Sequence, residues 1–302
     1  MLNRLRVKAI LFLKGVVMGF ADVIPGVSGG TMALITGIYE ELISALESFE
    51  PVIVLALLRG KAGEFWNGLK KVKYGFLIPL GLGIGVALLA GSQFVRYLLE
   101  TFPPYTYSFF FGLILASAGM LYFEVPEVNI TAAITSITGA IVAVMIVGIS
   151  GGNFGHGLPV IFAAGAVAIC AMILPGISGA FILLLIGQYE YILDSVGGLP
   201  STFPVLVVFG LGAGIGIVAF SRVLSFALDN WRSATLGFLI GLMVGALRKP
   251  FEVLLKSPSN SAINFEWAYH ETLLVIGFGL LGVVAVIGLG VFRLRENRNR
   301  GN

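Results

Sequence analysis

Apolar residues run along this chain in long blocks, with polar and charged positions gathered between them. About 20 helical residues cross the hydrocarbon of a bilayer. Five blocks reach that length: 75–98, 105–122, 131–149, 204–228 and 272–292. A sixth, 233–247, is short. Two more, 8–46 and 157–195, are apolar but interrupted at their centres by Pro25-Gly26-Val27-Ser28-Gly29 and Pro175-Gly176-Ile177-Ser178-Gly179. Proline removes a backbone donor and glycine weakens a helix, so neither block reads as one continuous helix. Each predicts two half-helices meeting tip to tip within the membrane, as a re-entrant hairpin.

The two interruptions are copies of one pattern. Aligned without a gap, 15–43 and 165–193 share Gly15/Gly165, Val17/Val167, Ala21/Ala171, Pro25/Pro175, Gly26/Gly176, Ser28/Ser178, Gly29/Gly179, Leu34/Leu184, Gly37/Gly187, Tyr39/Tyr189 and Glu40/Glu190. Apolar composition alone would not keep Gly, Pro, Ser, Tyr and Glu in register. A broken hydrophobic segment in corresponding positions of two halves points to a transporter's binding site.

Composition makes this an integral membrane protein. The chain is 57% hydrophobic and 12% charged, against about 25% charged in soluble domains. No cleavable signal is expected, because the first apolar stretch holds Lys14 and Asp22 and runs straight into the motif. The lone Cys170 excludes an intrachain disulfide and a cysteine-based metal site.

Basic clusters set the orientation. Arg4, Arg6 and Lys8 precede the first broken block; Arg59, Lys61, Lys70, Lys71 and Lys73 follow it; Arg293, Arg295, Arg298 and Arg300 lie at the end. The positive-inside rule places all three in the cytoplasm, and with them both termini. Block 8–46 then enters and leaves from inside, three spans carry the chain out, and 157–195 enters and leaves from outside. The expectation is an all-α polytopic fold of two inverted repeats, 1–150 and 151–302, each a re-entrant hairpin plus three spans. The weak point is 248–271, where Arg248, Lys249 and Lys256 fall outside, balanced by Glu252, Glu266 and Glu271.

The candidate chemistry follows from the interruptions. A half-helix start at membrane depth presents free N–H groups and the positive end of a helix dipole, which an anion satisfies. Pro25, Gly26, Ser28, Gly29, Gly30, Thr31, Pro175, Gly176, Ser178 and Gly179 are therefore the candidate substrate residues, with hydroxyls from Ser28, Ser178 and Thr31. The plainer alternative is a tight turn with a capping serine. Charges inside spans default to functional hypotheses. Arg222 suits a phosphate or carboxylate through its bidentate fork; Arg96 is explained equally by snorkelling to the interface. Asp22 lies one turn before Pro25, and its mate in the second copy is Met172. That asymmetry suits an ion-coupling carboxylate, the alternative being a cap on the half-helix. Glu40 and Glu190, near the open ends of the hairpins, are further coupling candidates or interfacial carboxylates. His156, in a glycine-rich loop, is expected to be solvated. No metal site, cofactor or nucleic-acid partner is expected.

The stretch Gly19-Phe20-Ala21-Asp22-Val23-Ile24-Pro25-Gly26-Val27-Ser28-Gly29-Gly30-Thr31, with the second copy and Gly187-Gln188-Tyr189, resembles the polyprenyl-phosphate transporter family of bacteria and archaea, long catalogued as a membrane domain of unknown function. The likeness covers nearly the whole chain. It implies that undecaprenyl phosphate returns from the outer to the inner leaflet of the cytoplasmic membrane for envelope polymer synthesis. A lipid phosphate offers an anionic head for the hairpin tips and a tail that stays in the bilayer. With the inside negative, moving a dianion inward costs about 4–5 kcal/mol per 100 mV unless cations accompany it. H+ or Na+ is the expected coupling ion, with Asp22, Glu40 and Glu190 as carriers. Membrane lipids are the other expected partners, and a homo-oligomer stays open. The alternative functions are a transporter of a small soluble anion and, further off, a phosphatase acting on the same lipid. The phosphatase lacks a nucleophile and acid/base pair, since the only histidines are His156 and His270.

Overall fold

The computed structural model describes residues 2–22, 28–49, 56, 59–88, 94, 97–98, 101–148, 154–198, 200–256 and 265–300. Among them there are fourteen helices and no strand: α1 Leu2–Asp22, α2 Gly29–Ile35, α3 Tyr39–Glu47, α4 Ala62–Lys71, α5 Tyr74–Val86, α6 Pro103–Tyr122, α7 Ile130–Gly148, α8 Leu158–Ile173, α9 Gly179–Leu185, α10 Tyr189–Gly197, α11 Phe203–Asn230, α12 Arg232–Ala246, α13 Arg248–Lys256 and α14 Phe265–Arg300. Five stretches among the described residues are long and apolar enough to cross a membrane: Pro103–Tyr122, Ile130–Gly148, Phe203–Asn230, Arg232–Leu254 and Thr272–Val291. The protein is a polytopic helical membrane protein.

Two lengths differ from the sequence expectation. The short block 233–247 continues, after a turn at Leu247, through α13, so the apolar run reaches Leu254. Block 75–98 begins as α5, which carries Pro79 inside it and ends at Val86; most of its remainder lies outside the described residues.

The second broken block breaks where the motif stands: α8 stops at Ile173 and α9 starts after Ser178. In the first, α1 is described as Leu2–Asp22 and α2 starts after Ser28, with 23–27 outside the described residues. Each serine caps the helix that follows. Ser28 Oγ accepts from Gly30 N and Ser178 Oγ from Phe181 N, satisfying donors that a helix start leaves without partners. α2 and α9 have seven residues each, about 10 Å of helix against about 30 Å of hydrocarbon. The chain beyond each one breaks again, at Gly37 (φ 70°) and Gly187 (φ 67°). These glycines adopt the left-handed conformation that ends a helix, and Ile38 N donates to Ala33 O as Gln188 N does to Leu183 O. The sequence reading had one half-helix after each motif; the structure has two short ones.

The helix pairings also come in matched sets. α1 lies along α5 as α8 lies along α11, and α6 lies along α14 as α12 lies along α7. The last helix of each half thus packs on the other half. Glycines mark the close approaches. A Cβ on Gly15 would strike the Leu80 carbonyl and one on Gly165 that of Phe209. One on Gly112 would strike the Gly279 carbonyl, and one on Gly241 that of Ser136. The core at the centre gathers Met32, Ile35 and Ile43 from the first broken block with Ile114, Leu242, Met243 and Val286.

Candidate functional site

The two motifs meet in the middle of the molecule. Ser28 Oγ lies 3.0 Å from the carbonyls of both Met172 and Leu174, so its single proton serves one or the other. In return Gly176 N donates to Thr31 Oγ1 at 3.0 Å. Ser28 and Thr31 have no exposed surface and Ser178 is 2% exposed. Gly30 sits so close to the Ile173 carbonyl that no Cβ fits between them. Gly176, at φ 84°, presses on the backbone of Met243 in α12, where a side chain would collide. Small residues in the motif therefore bring backbone against backbone at the seam.

Asp22 completes the first motif. Its Oδ1 accepts from Gly29 N at 2.7 Å, and the carboxylate lies against Gly29, where an added Cβ would be 2.5 Å from Oδ2. An acidic group on a helix start is electrostatically favourable. In the second motif Met172 stands at that position, and Gly179 N and Ala180 N have no hydrogen-bond partner among the described residues. The plain cap and the anion-facing tip, alternatives for both motifs in sequence, are thus unequally developed in the two copies.

The other expected site residues lie elsewhere. Pro25, Gly26 and Arg96 are outside the described residues. Arg222 does not join the motifs: Nη2 donates to the Phe49 carbonyl at 2.8 Å and Nη1 to Val218 O at 3.3 Å. It thereby holds the chain just past α3, where a cation suits a helix C-terminus. Glu40 pairs with Arg232 across 2.5 Å, both side chains well exposed, a pair of modest worth. Glu190 is exposed near the start of α10. His156 is exposed, as expected of its loop, and also makes contacts. Its ring stacks on Tyr191 at 4.1 Å, and Nδ1 lies 3.2 Å from Oε1 of the fully buried Gln188. Gln188 sits beside Gly187 at the start of α10, so the loop is pinned to the second broken block.

Two residues escaped the sequence reading as site candidates. Lys14 Nζ donates to the Thr36 carbonyl at 2.9 Å, tying α1 to the far end of α2. A lysine two turns before Asp22 in an apolar block was the available signal. Lys249, expected in an outer loop, lies on α13 beside the second motif and lines a crevice with Gly176, Ile177, Ser178 and Phe181. Its signal was the misfit of the 248–271 loop to the charge rule.

Comparison with known proteins now gives this arrangement a family. Residues 18–263 match the model of the family described as undecaprenyl phosphate translocase-like. A Vibrio cholerae protein named polyprenyl-phosphate transporter is 41% identical over 258 residues, 83% of this chain and 80% of that one. A Staphylococcus aureus protein of the same name is 29% identical over 290 residues, 90% of this chain and 94% of its own. No solved structure matches. The chain belongs to the undecaprenyl phosphate translocase-like family, whose relatives here are transporters and not enzymes.

Proposed function

We propose, from that membership, that this protein carries polyprenyl phosphate across the cytoplasmic membrane, returning undecaprenyl phosphate from the outer to the inner leaflet for envelope polymer synthesis. The observation that supports it best is the seam: Ser28 bonded to Met172 or Leu174, and Gly176 to Thr31, join the two interrupted segments at the core. In this reading α1–α3 and α8–α10 are re-entrant hairpins of opposite orientation, each followed by three spans, and both termini are cytoplasmic. The matched helix pairings and the seven-residue length of α2 and α9 support it, since neither short helix reaches across hydrocarbon.

The phosphate head is held at the hairpin tips while the tail stays in lipid. Arg222 ties the open end of the first hairpin to α11; Arg96 is a head-group candidate by sequence position alone. Asp22 is the leading coupling group. Protonating the carboxylate that grips Gly29 N weakens a charge-assisted bond at the tip, so H+ and substrate act on one element. Glu40 and Glu190 are the second and third candidates. A homo-oligomer is compatible with all of this and required by none of it.

The test uses proteoliposomes with undecaprenyl phosphate loaded into one leaflet, and reads its appearance in the other under imposed proton or sodium gradients. Wild type speeds the exchange and responds to one gradient, and Asp22→Asn no longer responds. Exchange as slow as in empty vesicles overturns the transport reading. An Asp22→Asn variant with the wild-type gradient response overturns the coupling role.

A further inference from the structure

A groove of about 520 Å³ runs between α1 and α5, and none of the residues lining it belongs to either motif. Its volume falls within the range of small-molecule sites, roughly 300–1,000 Å³. The two helices run in the same direction, since a Cβ on Gly15 would meet the Leu80 carbonyl and one on Gly19 the Ile84 carbonyl. Their starting ends therefore lie together. Leu5, Phe12, Ile78 and Leu82 supply apolar walls, and Ala9 and Gly75, with little or no side chain, leave the space between them. Leu5, Ile78 and Leu82 are each more than half exposed, so the groove opens sideways along its length. The charges at its starting end are unbalanced. Lys8 lines the groove, and no acidic residue precedes Asp22 in the chain. Lys70, Lys71 and Lys73 lead into α5, and the nearest acidic residue in sequence, Glu64, is taken by Lys61. Lys8 and Lys70 make no hydrogen bond or ion pair among the described residues. α4, just before α5, lies along no other described helix. Its helical spacing sets Phe65, Trp66 and Leu69 on one side and Asn67, Lys70 and Lys71 on the other. A basic amphipathic helix with an exposed tryptophan suits the level of the lipid head groups, and Tyr74 lines the groove three residues beyond it.

We propose that this groove seats an acyl chain of an anionic bilayer phospholipid whose phosphate meets Lys8, with α4 lying at the head-group level of the same leaflet. The apolar walls match a hydrocarbon chain, and the flexible stem of Lys8 lets its ammonium reach the head groups. Charge selects this occupant. A second copy of the chain packed here about a two-fold axis would set Arg6 and Lys8 against the same residues of its partner, and a zwitterionic lipid brings no net charge to offset them. The inference stands apart from the transport reading, because the groove and the motif seam share no residue.

The test uses the full chain in nanodiscs, with Trp66→Phe, Trp231→Phe and Trp267→Phe to remove the native indoles and Tyr74→Trp as the reporter. It reads fluorescence quenching by phosphatidylglycerol or phosphatidylcholine brominated on the acyl chains. Bromine quenches an indole at contact, so the two titrations give relative affinities at the groove. Phosphatidylglycerol is preferred by about fivefold, the effect of one lysine near an anionic surface. Lys8→Gln brings the preference close to one, Lys8→Arg retains it, and Lys61→Gln, which removes a lysine already paired with Glu64, leaves it unchanged. Gly75→Leu, where an added side chain enters open space, lowers quenching by both lipids. Equal affinity for the two lipids in the reporter protein overturns the proposal, as does a Lys8→Gln protein that melts like its parent and keeps the preference. Quenching by neither lipid also overturns it and gives the groove to a protein neighbour. Undecaprenyl phosphate that displaces brominated phosphatidylglycerol at a small fraction of its concentration assigns the groove to the transported lipid and overturns the choice of occupant. Where Lys8→Gln does not fold, Gly75→Leu decides, and unchanged quenching there overturns the groove.

Discussion

Asp22 and Met172 stand at matching positions, and the difference between them separates the two motifs. The carboxylate holds Gly29 N; the thioether holds nothing equivalent. Asp22→Asn keeps an oxygen that can accept the same bond, so its stability loss should stay under about 1 kcal/mol, whereas Asp22→Ala leaves a buried N–H unpaired and should cost about 1–3 kcal/mol. Chemical denaturation of the two variants in one detergent checks the order. Gly30→Ala places a methyl on the Ile173 carbonyl and should lower the melting temperature more than Ala at Gly81, which faces open space. At this scale the motif residues were legible, because Gly, Pro and Ser in repeated register have few reasons to persist in an apolar block. Their partners were not. Ser28 reaches a carbonyl 144 or 146 residues away, and a backbone carbonyl has no letter in the sequence. The partners of Arg222 were hidden for the same reason: a guanidinium suits phosphate, and here it donates to two carbonyls.

The elements divide along similar lines. Four of the long apolar blocks match spans to within a few residues, as at 131–149 against Ile130–Gly148. The second break in each interrupted block went unseen, although Gly37 and Gly187 were among the aligned identities. A single glycine in an apolar run reads as packing, and only a positive φ makes it a helix terminator. Gly37→Ala should therefore destabilise by about 1 kcal/mol or more through left-handed strain alone, since Gly37 is exposed. Thermal melts of Gly37→Ala beside Gly37→Asn test it, because Asn tolerates that conformation better than Ala. Block 233–247 looked short for a related reason. Arg248 and Lys249 seemed to end it, whereas the helix resumes past them and Arg248 turns its charge onto Val144 O and Glu252.

For the whole molecule, the exchange of last helices between halves was beyond sequence, since length and charge order the spans without saying which ones touch. α14 runs along α6, where Ser108 Oγ donates to the Val275 carbonyl and lies close to Gly279. Cysteines introduced at Ser108 and Gly279 should be near enough to bridge, with Cys170 replaced by Ala to leave a single pair. Oxidation in membranes should give a fast-migrating, reducible band. Its absence, with both thiols reactive, would contradict the pairing. Arg222 and the Glu40–Arg232 pair link the first broken block to α11 and α12, so the two halves are held at the open end of that block as well as at the motif seam.

The central claim is that the paired motifs form the transport site, and the most direct measurement is undecaprenyl phosphate exchange between leaflets by Ser28→Ala with Ser178→Ala, set beside wild type in the same vesicles. Both serines are buried. The account expects exchange to fall to the level of empty vesicles while the variant still inserts and gives one cooperative melt. Exchange at the wild-type rate from a folded double variant would contradict it and move the site away from the motifs.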